Sequence, residues 1–254
     1  MRPLSVAIVC KNEEDRIRPA LESVSFADEI VVVDSGSTDR TLEIAKEYTD
    51  KVMFREWKGW KDQKSWAAAQ CANDWVLTLD SDEVVSEELR KEIKEVLSRD
   101  NIEEAGFTLP RATFYQGRWI RHSGWYPDRK LRLYLKERAN FGGEDPHEVI
   151  EVDGTVGHLS GDLCHYTYRD LKHQADQLVR YALVNARAKY EKGERAGVLD
   201  LVWRPPLATA KMYILKLGFL DGVPGLIIAG MNGYYTLIKY ARLWEMDRGA
   251  NRDG

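Results

Sequence analysis

Cysteine is scarce in this chain: Cys10, Cys71 and Cys164 are odd in number, far apart and without CxxC spacing. That excludes a disulfide framework and a structural zinc site, and it fits a reducing cytosol. An excess of positive charge is also lacking. Lys and Arg number 37 against 41 Asp and Glu, for a net charge of −4, which argues against a general nucleic-acid binder, whose affinity needs a basic face. No low-complexity tract and no internal repeat of solenoid length is visible. Neither a GxGxxG after the first apolar run nor a GxxxxGK[ST] anywhere is present, so the usual dinucleotide and P-loop cradles are excluded. Long apolar runs are missing too. The longest uncharged stretch, GVPGLIIAGMNGYYTLI, contains Pro224, four glycines and Asn232 and falls short of the ~20 residues a spanning helix needs. The amino-terminal MRPLSVAIVCKNEE has a short apolar run with no small-residue cleavage site, and reads as a first strand, not a signal peptide.

What is present is ordinary globular content: 254 residues, 44% hydrophobic and 31% charged, enough for one α/β domain, alone or with an appendage. Leu4 to Cys10 is a continuous apolar run of strand length. It is followed from Asn12 to Ser23 by Ile17 and Leu21 at helical spacing. Glu29 to Val33 repeats the strand signal, and Ser37-Thr38-Asp39 opens a capped helix. Lys51 to Phe54 reads as a third strand, Lys58 to Cys71 as helix, Trp75 to Leu79 as a fourth strand, and Ser86 to Leu97 as an amphipathic helix. This β-α alternation predicts a Rossmann-like, mostly parallel sheet flanked by helices. From Ala105 to His165 the pattern loosens into short β-like pieces such as Lys130 to Leu135. After Tyr168 it is helical to the end, with Pro205-Pro206 read as a break.

In such sheets ligands collect beyond the carboxyl ends of the strands, at a topological switch point. Polar clusters stand there: Lys11-Asn12-Glu13, Asp34 to Asp39, and Asp80-Ser81-Asp82. The last closes VLTLDSDE, with three carboxylates in four positions, which repel one another unless positive charge meets them. Two carboxylates one residue apart, a DxD, share a divalent cation such as Mg²⁺ or Mn²⁺, and that cation in turn neutralises a diphosphate. For Asp82 and Glu83 the residue types equally allow caps of the following helix. Asp34, closing EIVVVD, is suited to accept a hydrogen bond from a base or ribose, and Lys64 on the intervening helix to reach phosphate.

Together with these, SVAIVCKNEE, EIVVVDSGSTDRT, KDQKSWAAAQCANDWVLTLDSDE, GWYPDRKLRLY, PHEVIEVDGTVGHL and CHYTY resemble the family 2 inverting glycosyltransferases of GT-A fold. Within that family the nearest likeness is to bacterial lipopolysaccharide inner-core β-1,4-glucosyltransferases. The resemblance implies a GT-A catalytic domain over residues 1–168 and a helical C-terminal extension over 169–254. It implies that Asn12, Glu13, Asp34, Lys64 and Asp80 bind a UDP-sugar, and that Asp80, Asp82 and His165 hold the metal. Inversion at an anomeric carbon needs a base for the acceptor hydroxyl. The general family pattern favours Asp145 for this role; the nearer relatives favour Glu148, and Glu148 is preferred here.

The basic residues between Arg111 and Arg138, interleaved with Trp119, Trp125 and Tyr126, suggest an anionic glycolipid or saccharide acceptor. The helical tail mixes apolar residues with Lys211, Lys216, Lys239 and Arg242. This composition fits helices lying in an anionic headgroup layer at the cytoplasmic face of the inner membrane. It equally fits an amphipathic pair packed on the catalytic domain or on a second copy in a homo-oligomer. A sugar-phosphate nucleotidyltransferase would place a glycine-rich basic loop after the first strand, and CKNEEDR has none. A non-catalytic nucleotide-sugar-binding scaffold is the remaining alternative.

Overall fold

The computed structural model of the protein describes residues 1–143 and 148–250. In chain order its elements are β1 (Leu4–Cys10), α1 (Ile17–Ser23), β2 (Glu29–Asp34), α2 (Thr41–Lys46), β3 (Val52–Phe54), α3 (Trp60–Ala69), β4 (Trp75–Asp80), β5 (Glu83–Val85) and α4 (Glu87–Leu97). These are followed by β6 (Gly106–Tyr115), β7 (Arg118–Ile120), β8 (Asp128–Leu135), β9 (Ala139–Gly142), β10 (Val149–Val152), β11 (Val156–His158) and β12 (Leu163–His165). The helices α5 (Leu171–Glu191), α6 (Val198–Ala210) and α7 (Gly222–Ala250) complete the chain, with a π-turn over Lys211–Leu215 and a 3₁₀ turn over Gly218–Asp221 between the last two. Two compact units result: Met1–Ala112 with Asp128–His165, and Thr113–Pro127 with the chain from Tyr166 onward.

The first unit is the expected α/β fold. Its sheet runs β3-β2-β1-β4-β8-β6-β12-β5. The first four strands are mutually parallel, whereas β8 is antiparallel to both β4 and β6. Strand β1 is buried along its whole length, and its side chains alternate between two layers, as the two-residue period of a strand requires. Leu4, Val6, Ile8 and Cys10 join α1, α2 and α4 in one core, while Ala7 and Val9 join Ala67 and Ala68 of α3 in the other. Helices therefore cover both faces, the condition for a parallel sheet with no wet side.

Several local expectations shift. Helix α1 starts at Ile17, not Asn12, because Asn12 adopts a left-handed φ of 56° and its Oδ1 accepts the Thr38 amide at 2.8 Å, which holds the chain out of helical geometry. Strand β6 is ten residues long, where short pieces were expected. Its buried residues come in pairs separated by single half-buried ones, with a register irregularity between Phe107 and Thr108, so a search for strict alternation does not find it. Glu83 belongs to β5, not to a helix cap; the cap of α4 is Ser86, whose hydroxyl accepts the Leu89 amide.

In the second unit, Pro205-Pro206 lies inside α6 and does not break it. Two helix amide donors are lost there, but proline's fixed φ is compatible with a helix. The Thr209 hydroxyl donates back to the Pro205 carbonyl at 3.2 Å, and α6 is held against α7 by Asn232, whose side-chain amide donates to the Ala208 carbonyl. The approach is close at Gly233, where a Cβ would sit 2.2 Å from the Thr209 hydroxyl. Among the described residues no single helix is long and apolar enough to cross a membrane.

Candidate active site

Strand register brings the polar clusters to one edge. Cys10 pairs with Asp34 and Val9 with Asp80, so β2, β1 and β4 end level with one another. The strand order reverses between β1 and β4, the switch point at which α/β sheets open a crevice. Asp34 is buried and folds its own loop: its carboxylate accepts the Gly36 and Ser37 amides and the Ser37 hydroxyl. Asn12 ties the preceding loop to the same turn by donating its amide to the Ser37 hydroxyl at 2.8 Å. Burial pushes the Cys10 thiol well above its ordinary range, and the Asp34 charge 3.8 Å away adds to the effect. A neutral thiol of this kind is a core residue, not a nucleophile.

The acidic tip meets its positive charge within the chain. Lys64, almost completely buried on α3, places Nζ 2.7 Å from Asp80 Oδ1 and 2.7 Å from Glu148 Oε1. Arg132, on β8, donates to Asp80 Oδ2 at 2.7 Å and to Glu83 Oε1 at 2.9 Å. Glu83 is fully buried; its second oxygen accepts the Asp80 amide, and Arg111 stands 3.4 Å from the first. Arg111 in turn pairs with Asp128. The result is a chain of alternating charge, Glu148-Lys64-Asp80-Arg132-Glu83-Arg111-Asp128, which satisfies carboxylates whose burial unpaired would be very costly. Burial by itself would raise the Asp80 carboxyl; Arg132 and Lys64 outweigh it and hold the group well below the usual carboxylate range. Burial likewise opposes the charge on Arg132, and Asp80 and Glu83 overcome it.

Asp82 has a different environment. Its Oδ2 is 3.5 Å from Arg16 Nη1, and Arg16 is held by Glu13; the same oxygen is 3.5 Å from His165 Nε2. Among the described residues no group of three or more His, Cys, Asp or Glu side chains converges as a closed metal cage. One carboxylate and one imidazole at this separation nevertheless suit a divalent ion that keeps several positions for water and phosphate oxygen, as Mg²⁺ does and Mn²⁺ permits. Asp80 has each of its oxygens 2.7 Å from a cation, Lys64 Nζ and Arg132 Nη2.

The model of the family "Glycosyl transferase family 2" matches residues 5–151. The chain belongs to glycosyltransferase family 2. Curated relatives include the lipopolysaccharide core biosynthesis glycosyltransferase LpsC of Rhizobium meliloti, 29% identical over 96% of this chain and 92% of LpsC. An uncharacterized glycosyltransferase of Rickettsia typhi is 29% identical over 97% of this chain and 88% of its own. Among solved structures, S. aureus TarS in complex with UDP is similar over 98% of this chain and 92% of that one, at 16% identity and TM-score 0.48. The Mycobacterium tuberculosis glucosyl-3-phosphoglycerate synthase with Mn²⁺ and UDP-glucose is similar over 76% and 79%, at 17% identity and TM-score 0.47.

Of the residues expected from this family 2 chain's sequence, Lys64, Asp80 and Glu148 meet directly, Asp82 and His165 pair with each other, and Asn12 and Asp34 stand on neighbouring loops at the same edge, each bonded to Ser37. Glu13 reaches Asp82 through Arg16. Asp145 lies outside the described residues. Sequence reasoning missed Arg132, Arg111 and Arg16 as the cations of the cluster, and it counted Glu83 in the acidic tip without finding its buried pairing with Arg132. A signal was there for Arg132: in DRKLRLYL it stands two residues before Tyr134, and both are buried, which marks an arginine on an inward face.

Proposed function

We propose that this family 2 glycosyltransferase transfers a hexose, glucose as the first choice, from a UDP-sugar to a lipid-linked or lipopolysaccharide-core saccharide, with inversion, at the cytoplasmic face of the inner membrane. In this reading residues 1–168 form the catalytic domain and 169–254 the helical extension. The observation that carries it is the meeting of Asp80 and Glu148 on Lys64 Nζ, 2.7 Å from each, beside the Asp82–His165 pair. The likeness to a lipopolysaccharide core enzyme along nearly the whole chain supports the acceptor class.

Asn12, Glu13 and Asp34 line the nucleoside end, with Asp80 toward the ribose and Lys64 toward the diphosphate. Asp82 and His165, with Asp80 behind them, would hold a Mg²⁺ or Mn²⁺ ion, which when bound neutralises the diphosphate. Glu148 takes the proton of the acceptor hydroxyl; that oxygen forms a bond to the anomeric carbon, while the bond from this carbon to the diphosphate breaks on the opposite face and UDP leaves. Lys64 keeps Glu148 oriented and places a fixed positive charge beside the departing phosphate.

Glu148→Gln tests the base: donor binding by calorimetry is expected to persist while transfer falls at least about a hundredfold. Near-normal transfer would move the role to Asp145. Asp82→Asn is expected to abolish the heat of Mn²⁺ uptake in the presence of UDP; unchanged uptake would remove Asp82 from the metal site.

A further inference from the structure

Helix α6 and the corner that joins it to α7 present apolar side chains outward. Leu199, Trp203, Leu207, Leu215, Phe219 and Val223 all lie on the surface, with Leu215 75% and Trp203 61% exposed. Leu199, Trp203 and Leu207 recur every four residues and so share one face of α6, and exposed large apolar residues grouped in this way mark an interaction surface more often than residues scattered singly do. The corner is also firmly built. Leu217 adopts a left-handed φ of 54°, and Gly225 packs so tightly on the Gly218 carbonyl that a Cβ there would sit 1.9 Å from that oxygen. The buried Asp221 carboxylate accepts the Arg121 and His122 amides and the Ser123 hydroxyl, and the Ser123 amide donates to the Lys216 carbonyl at 2.8 Å. The apolar side chains are thus held outward by a fixed backbone.

Charge selects among occupants. Between Val198 and Leu226 the acids are Asp200, paired with Arg204, and Asp221, fully buried. Lys211 and Lys216 are exposed and take part in no ion pair among the described residues. The corner therefore shows water an apolar ridge with uncompensated positive charge beside it. The two arms, Val198–Leu215 and Gly218–Arg248, meet at 71°, and neither is by itself long and apolar enough to cross a membrane.

We propose that this corner inserts into a single leaflet of an anionic phospholipid membrane, with Leu199, Trp203, Leu207 and Leu215 among the acyl chains and Lys211 and Lys216 at the headgroup phosphates. The contact sets where the chain works and does not depend on the transfer chemistry. Binding measured without donor or acceptor leaves the catalytic reading standing if it fails.

The test is co-sedimentation of the full chain with vesicles of phosphatidylcholine alone or of equimolar phosphatidylcholine and phosphatidylglycerol. Binding to the anionic vesicles is expected, weakened by high salt. The surface double variant Leu199→Glu/Leu215→Glu is expected to lower partitioning at least about tenfold with an unchanged circular dichroism spectrum. Lys211→Glu/Lys216→Glu is expected to remove the preference for anionic vesicles. Quenching of tryptophan fluorescence by brominated lipid, reduced in Trp203→Phe, reads insertion independently of those variants. Absence of binding to either vesicle at low salt, or partitioning unaffected by both double variants, would overturn the proposal. So would a dimer in analytical ultracentrifugation that Leu199→Glu/Leu215→Glu dissolves, which would assign the face to a second copy.

Discussion

Replacing Arg132 by Met probes the charge chain where it is most buried. The guanidinium contacts Asp80 at 2.7 Å and Glu83 at 2.9 Å, and breaking a buried pair by removing one partner costs about 3–5 kcal/mol. Each carboxylate keeps a second partner, Lys64 for Asp80 and Arg111 with the Asp80 amide for Glu83, so the expected loss is about 3 kcal/mol, or roughly 6–12 °C in melting temperature for a chain of this size. The pH dependence follows from the direction of the Asp80 shift. A carboxyl depressed in the folded state contributes stability above its unfolded value, near about 4, and loses it only as pH falls through the lower folded value. The wild-type contribution of Asp80 is therefore constant from about pH 8 to 5. In the variant burial is opposed by less positive charge, the carboxyl rises, and the deficit is expected to shrink as pH falls toward about 4. Urea unfolding of wild type, Arg132→Met, Asp80→Asn and the double variant, at neutral and mildly acidic pH, measures this. A neutral-pH loss under about 1 kcal/mol, or a double variant that is simply additive, would refute the coupling.

Lys64→Met cuts the link between Asp80 and Glu148 and is expected to lower kcat/KM for transfer roughly a hundredfold; steady-state kinetics within a few-fold of wild type would contradict its role. Gly161→Ala forces a Cβ to 2.3 Å from the Leu89 backbone nitrogen, so α4 or the loop before β12 must move, and a loss of about 1–3 kcal/mol is expected by denaturant titration; an unchanged midpoint would show that the loop yields freely. Burial pushes the Cys71 thiol up to about 12 and Cys10 higher still, so Ellman's reagent at pH about 8 is expected to leave both unreacted in the native protein and to titrate them in urea. Rapid native reaction would mean that the end of β1 opens around Cys10, or the C-terminal turn of α3 around Cys71.

Sequence by itself determined the β-α alternation of the first unit, because apolar runs of strand length and helical spacing are local patterns. It also placed Asp34 and Asp80 at strand ends, where parallel sheets gather ligands. Tertiary structure alone decided what meets the acidic tip. Lys64 and Glu148 are 84 positions apart, and Arg132 reaches Asp80 only because β8 runs antiparallel beside β4. That β8 rather than another strand lies there is a long-range choice, made by the fit of Leu133 and Tyr134 into the two cores and not by any local propensity. The length of β6 was hidden for the same reason: polar residues are carried into that strand by hydrogen-bonding neighbours supplied from elsewhere in the chain. The carboxylates of VLTLDSDE looked unaccountable in one dimension, since the cations that meet them, Arg16, Lys64, Arg111 and Arg132, come from distant helices, loops and strands and converge only in the folded sheet.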